Sequence, residues 1–414
     1  MRTLLSLSVA VLAGLLMTRV AKPLKLPSVT AYLVAGVLIG PYCLGLLGIE
    51  GLGFPTQEAV DSLSLISEVA LGFIAFSIGS EFRVSELKHT GKQAFVIGVL
   101  QALAATFLID IALVAIALVT NGKLTIAQAI TLGAIGTATA PAATLMVVRQ
   151  YKANGPVTRM LLPVVAMDDA LGLMLYAIMM AIARTLDSGA ALSVMTLLVK
   201  PLIEIVGSLA MGVLIGTVMV FCLRFFHSRG NKLTMTILIV FLAAGLSTML
   251  DLSSLLVCMM IGATMINVSN DSPALLEQCD RFTPPLFLLF FVLSGASLDL
   301  SVLPTVGVVG IAYVLSRAIG KSLGATIGAA IEKCDKNIIR YLGMTLIPQA
   351  GVAIGMARMC LTDLPAYGPT INAVVLAGTL IYELTGPVIT KIALTKAGEI
   401  KEGGAKPAAV TAAK

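Results

Sequence analysis

The chain has 414 residues, 58% of them hydrophobic and only 12% charged, and carries a net charge of +6. A soluble domain has about a quarter of its residues charged, so the composition excludes a soluble globular protein and points to an integral membrane one. The basic excess, which would suggest nucleic acid in a soluble chain, is then explained by cytoplasmic loops, and no nucleic-acid partner is expected.

Runs of about 20 apolar residues span a bilayer, and thirteen candidates follow one another along the chain. The first, 3–20, could pass for a signal peptide, but it ends in Arg19 and Lys22 with no small-x-small cleavage site and is read as a retained helix. The second is 29–47; the third, 61–79, holds Glu68, and the fourth, 92–119, holds Asp110. The fifth, 125–148, is interrupted at its middle by "GTATAPAATLM", which sets Thr137, Thr139 and Pro141 at mid-membrane depth. Proline removes a backbone donor and clashes with the carbonyl four residues back, so a break is expected there. The sixth, 159–184, contains "VVAMDDALGLM", with Asp168 and Asp169 side by side in an apolar run. The seventh, 199–225, carries Glu204 near its outer end. The eighth to tenth are 234–250, 252–268 and 283–297. The eleventh, 303–331, holds Arg317 and Lys321, and the twelfth, 338–358, is interrupted by "GMTLIPQAGVAIG" with Pro348 and Gln349. The thirteenth, 368–392, carries Glu383 and Pro387, and from about Gly398 a Gly-, Ala- and Lys-rich tail, 398–414, is expected to be a disordered cytoplasmic segment.

Alternate loops collect most of the lysines and arginines. Arg83, Lys88 and Lys92 lie in one such loop, Arg149, Lys152 and Arg159 in the next, while the opposite set holds only Arg2, Lys123, Arg184, Lys200 and Arg358. The positive-inside rule then puts the N-terminus outside and the C-terminus in the cytoplasm, which requires an odd number of spans. With the seventh helix (199–225) as a linker, residues 1–185 and 234–392 form two halves of six helices, the second inverted, inside one membrane domain, 1–397. Interrupted helices at matching positions of inverted halves point to a transport site at the midplane.

Ionisable groups inside a membrane are functional candidates, since each needs a partner or water. Adjacent residues diverge by about 100° on a helix, so one structural partner cannot serve both Asp168 and Asp169. Two neighbouring acids titrate as a coupled pair, and their oxygens suit a hard cation when deprotonated. Arg317 and Lys321 are four apart, on nearly one face, so each calls for its own anion. Glu68 is expected to pair with Arg317, and the aspartates with Lys321. Asp110 and Glu204 are expected to reach interfacial water, and Glu383 to pair with a neighbouring helix. The six cysteines form no CxxC pair and no metal-type spacing with the two histidines, so buried free thiols and no cofactor are expected.

Carried by "AMDDALG", the Thr/Pro-interrupted fifth helix, Arg317-xxx-Lys321, "SEVALGFIAFSIGSEF" and "IPQAGVAIG", the chain resembles bacterial sodium/proton antiporters of the monovalent cation:proton antiporter superfamily, in the electrogenic double-aspartate branch. The resemblance covers nearly all thirteen helices. It implies an all-α fold with crossed broken helices, a homodimer, an inner-membrane location, and alternating access by an elevator-like core, in service of ion transport and pH homeostasis. It also implies that Asp169 is the principal ion-binding carboxylate and that Asp168 is its partner, salt-bridged to Lys321. On that reading Na+, or K+ or Li+, binds Asp168 and Asp169 in exchange for H+, and Thr137, Thr139, Pro141, Pro348 and Gln349 support the site. The run "TATAPAAT" departs from the Thr-Ser run or the aspartate found at the break in many relatives. The alternatives are a K+/H+ antiporter and, less well matched, a sodium-coupled organic-anion symporter, whose substrate the aspartates would repel. A membrane aspartyl protease needs its two acids on different helices, so no enzyme is expected.

Overall fold

In lipid every backbone N–H and C=O must be satisfied within the protein, and all regular elements among the described residues are helical. The computed structural model describes residues 2–24, 26–49, 52–80, 84–119, 124–188, 199–226, 228–250, 252–269, 272–298 and 303–400. In chain order the helices are α1 Arg2–Ala21, α2 Ser28–Ile39, α3 Gln57–Asp61, α4 Ser64–Gly79, α5 Val84–Val119 and α6 Ile126–Ile135. They continue with α7 Pro141–Tyr151, α8 Pro156–Ser188, α9 Lys200–Leu223, α10 Arg229–Met249, α11 Ser254–Val268 and α12 Ser272–Phe282. The last are α13 Pro284–Ala296, α14 Leu303–Ile331, α15 Lys336–Thr345, α16 Gly351–Asp363 and α17 Gly368–Lys396. Among the described residues, seven helices are long and apolar enough to cross a membrane, or eight if α12 and α13, bent by 45°, make one span. Of the other predicted segments, the sixth falls on the 33-residue α8 and the rest on shorter helices or on the two broken ones.

Several boundaries depart from the sequence reading. The second segment stops at Ile39, where Gly40 and Pro41 turn the chain into a short 3-10 helix, Leu44–Leu47. The third starts at Ser64 as α4, and a short α3, N-capped by the Thr56 hydroxyl, precedes it. The amphipathic α12 precedes the tenth apolar run and was not foreseen.

The helices pack in two groups. One contains α1, α2, α4 and α9 to α13; the other contains α5 to α8 and α14 to α17. In the second group α14 lies along α5 at very close approach. Cβ atoms on Gly320 and Gly324 would fall 2.7 Å from the Ala105 Cα and 2.5 Å from the Gln101 Cα. Small residues at four-residue spacing permit such contact between membrane helices, and here the contact sets Lys321 opposite Gln101. Within this group a long helix, a broken pair and another long helix recur in the same order: α5, α6/α7, α8, and again α14, α15/α16, α17. The groups touch where α7 ends: Arg149 pairs with Asp280 of α12 at 2.7 Å, and Gln150 Oε1 accepts from the Ser28 N–H of α2 at 2.7 Å.

The chain just past α17 is docked rather than loose, so the predicted start of the disordered tail is corrected; residues 401–414 lie outside the described residues. Gly398 takes φ +77°, a left-handed turn that glycine adopts without strain, and it swings Glu399 onto the start of α8. The buried Glu399 carboxylate accepts from Val157 N (2.6 Å), Thr158 N (2.8 Å) and Thr158 Oγ1 (2.6 Å). It thereby satisfies donors that the helix start leaves open. Glu399→Ala is expected to cost about 2–3 kcal/mol, because these are hydrogen bonds to a charged acceptor. Thermal unfolding of the solubilised protein reads this as a lower melting temperature, and an unchanged value would show that the contact contributes nothing.

Candidate functional site

The two interruptions, residues 136–140 between α6 and α7 and residues 346–350 between α15 and α16, lie against one another. The Ala140 N–H donates to the Pro348 carbonyl at 2.9 Å, so each break supplies a backbone partner to the other. Pro141 occupies the first position of α7, where a missing N–H costs nothing. Half-helices meeting at a break aim the partial charges of their ends at the crossing: N–H ends of α7 and α16, carbonyl ends of α6 and α15.

The carbonyl ends are held by Arg317. Its guanidinium is fully buried and donates Nε to Gly136 O (2.8 Å), Nη1 to Ile347 O (2.6 Å) and Nη2 to Ala138 O (2.6 Å). Its flat side rests 4.5 Å above the Tyr382 ring, and the Tyr382 hydroxyl donates to the Val314 carbonyl. The expected pairing with Glu68 is therefore wrong. Glu68 is exposed on α4, and the carbonyls freed by the two breaks use the cation instead. Gln349 reinforces the same junction. Its Nε2 donates to Ile135 O at 3.2 Å, and it exchanges hydrogen bonds with the Tyr313 hydroxyl at 2.9 and 3.2 Å.

One turn along α14, Lys321 is fully buried and faces Asp168 of α8, also fully buried. Lys321 Nζ donates to Asp168 Oδ2 (2.7 Å), Thr139 Oγ1 (2.6 Å) and Gln101 Oε1 (2.8 Å). Thr139 Oγ1 and Gln101 Nε2 in turn donate to the two oxygens of the Asp168 carboxylate. A cation, an anion and two amphoteric groups thus close a ring of hydrogen bonds beside the N-terminal end of α7. Burying two charges is tolerable only with such complete satisfaction.

Gln101 is the member that the sequence reading missed. A lone amide in the run "VIGVLQALAA" was the available signal. Thr137 is fully buried but donates to Ala134 O at 2.7 Å, back onto the end of α6, so its hydroxyl stands apart from the Asp168 ring. Asp169 follows Asp168 on α8, and its side chain lies outside the described residues, as does that of Glu204. Asp110 departs from the interfacial reading. A Cβ on Gly133 of α6 would sit 1.8 Å from Asp110 Oδ1, and this buried oxygen has no hydrogen-bond partner among the described residues. Glu383 is 3% exposed and meets no hydrogen-bond or ion-pair partner among the described residues, contrary to the expected helix pairing. No group of three or more metal-type side chains occurs among the described residues.

Residues 7–396 match the family model described as "Sodium/hydrogen exchanger, transmembrane". The chain is 25% identical to the high-affinity Na+/H+ antiporter NhaS3 of Synechocystis sp., over 93% of this chain and 88% of that protein. It is 24% identical to the ammonium/H+ antiporter subunit AmhT of Alkalihalophilus pseudofirmus, over 90% of each. The sodium proton antiporter MjNhaP1 of Methanocaldococcus jannaschii shares the fold, with a TM-score of 0.76 at 19% identity over 96% of this chain and 98% of that one.

Proposed function

The chain belongs to the sodium/hydrogen exchanger family, and from that premise we propose that its crossing exchanges Na+ for H+ by alternating access, with Asp168, Asp169 and Lys321 as the working groups. It is a multi-pass membrane transporter that exchanges a cation for protons, and not an enzyme. The observation that carries the site is the Asp168–Lys321 pair at 2.7 Å, fully buried beside two broken helices. In the empty site Lys321 neutralises Asp168. An entering cation competes for the carboxylates of Asp168 and Asp169 and displaces Lys321, and its departure lets the pair reform. Thr139, already a ligand of both members, moves with whichever partner holds the carboxylate.

Two protons against one sodium moves one charge per cycle. A potential of about 100 mV then contributes roughly 2.3 kcal/mol, and one pH unit adds about 1.4 kcal/mol per proton. Inward proton flow thereby drives sodium out. The finer assignments complete the proposal: a homodimer in a bacterial inner membrane, the arginine- and lysine-rich loops and the C-terminus in the cytoplasm, and two inverted halves joined by α9. The loop charges support the orientation, and the recurrence of the broken-helix order supports the two halves.

Dissipation of a pH gradient in proteoliposomes tests the reading, on addition of sodium, lithium, potassium or ammonium with and without a clamped potential. A sodium response that quickens with the imposed potential is expected. A response to potassium or ammonium alone would overturn sodium as the substrate, and a sodium response indifferent to potential would overturn the charge count.

A further inference from the structure

Threonine hydroxyls on membrane helices commonly donate to the carbonyl four residues earlier. Thr106, Thr131, Thr144, Thr264 and Thr385 all do so, at 2.7 to 3.3 Å. Thr379 and Thr390 of α17 do not. Both are fully buried, and neither hydroxyl has a hydrogen-bond partner among the described residues; the buried Asn372 Oδ1 likewise has none there. At 100° per residue these three and Glu383 fall within about 40° of one another on α17, over a rise of roughly 27 Å. That length is close to the ~30 Å of a bilayer's hydrocarbon core.

Glu383 is the only carboxylate of that stripe and lies near its middle. Pro387, inside the helix, cannot donate to the Glu383 carbonyl, so the main chain adds another acceptor at the same level. The residue before it, Tyr382, carries the Arg317 guanidinium above its ring, and Gly386, three residues on, packs directly on Pro348. Glu383 therefore borders the crossing without belonging to its hydrogen-bond ring. Three of the charged groups on the helices packed against α17 are engaged elsewhere. Arg317 holds three carbonyls, Lys321 holds Asp168, and Arg149 of α7 holds Asp280. Arg340 of α15 lies over Tyr341, Lys336 is exposed at the start of α15, α2 and α6 carry no charged residue, and the side chains of Arg358 and Asp363 on α16 lie outside the described residues.

We propose that Glu383 is a second exchangeable proton site of this transporter, with Thr379 and Thr390 as the polar groups through which its proton comes and goes. The proposal rests on the reading of the crossing as the cation site. When the cation arrives at Asp168 and Asp169, the Glu383 carboxyl O–H breaks. The proton passes to water along the stripe, and the electron pair stays on the carboxylate. When the cation leaves, a proton returns and the carboxyl is neutral again. A carboxyl with no cationic side-chain partner among the described residues suits this cycle, because the transported ion then supplies its counter-charge.

Proton release from the full-length protein in detergent, weakly buffered with a pH indicator, tests this directly. Sodium chloride is added, with choline chloride as the ionic-strength control, and protons released per sodium bound are counted. Glu383→Gln is expected to bind sodium and release one proton fewer than the wild type, whereas an unchanged count overturns the site. If Glu383→Gln binds no sodium, Glu383→Asp, which keeps the carboxyl, is expected to restore both binding and the wild-type count; failure to restore them overturns the proposal. Thr379→Val is expected to keep the count and slow exchange in proteoliposomes, and an unchanged rate would remove Thr379 from the route. A wild type that binds sodium and releases no proton would be recognised separately, since it contradicts the exchange reading of the crossing and the Glu383 site together.

Discussion

Replacement of Arg317 by methionine is expected to cost several kcal/mol of stability and to abolish transport. The side chain keeps its length and apolar stem but loses all the donors that hold Gly136 O, Ala138 O and Ile347 O. Each buried acceptor left unsatisfied costs about 1–3 kcal/mol, and the carbonyl ends of α6 and α15 then face one another with no cation between them. The cation–π contact with Tyr382 is lost as well. Arg317→Lys is expected to recover only part of the loss, because an ammonium lacks the planar fork that reaches three carbonyls at once. Thermal unfolding of the solubilised variants and exchange in proteoliposomes measure the two effects. A methionine variant that melts with the wild type would show that the breaks hold each other without the arginine.

The second large effect belongs to the buried pair. Lys321→Met leaves the Asp168 carboxylate with only Thr139 and Gln101 as donors, and removal of one member of a buried pair costs about 3–5 kcal/mol. Asp168→Asn with Lys321→Met removes both charges, and buried ion pairs replaced by neutral groups are often close to neutral in stability. The double variant is thus expected to melt above Lys321→Met and yet to exchange no cation, since the carboxylate is gone. This separation of stability from transport distinguishes a working pair from a structural one. If the double variant were the least stable of the set, with the two losses adding, the coupling between Lys321 and Asp168 would be absent.

Where the sequence carries a strong energetic signal, the structure and the sequence agree. Pro141 and Pro348 each lack a backbone donor in the middle of an apolar run, and breaks lie at both. Lys321 and Asp168 are intramembrane charges with few alternatives, and they meet. Glu68 was misassigned because charge counting treats a carboxylate as the natural partner of a guanidinium. Three carbonyls freed by two broken helices satisfy Arg317 instead, and no single helix reveals that convergence. Gln101 was invisible to the same counting since it is neutral, and its value arises only when Gly320 and Gly324 bring α14 onto α5. The Glu399 cap joins residues about 240 apart in sequence, which local pattern cannot show. The short α3 ahead of the third segment lies in the polar stretch "PTQEAVDS", which counting apolar runs passes over.

The most direct measurement is cation-dependent dissipation of a pH gradient by Asp169→Asn in proteoliposomes, beside the wild type and with folding verified by melting temperature. The substitution keeps the size of the side chain and removes only its capacity to exchange a proton for a cation next to Asp168. The expected result is sodium-driven dissipation by the wild type and none by the folded variant. Sodium/proton exchange preserved in Asp169→Asn would contradict the assignment of the aspartate pair as the seat of exchange.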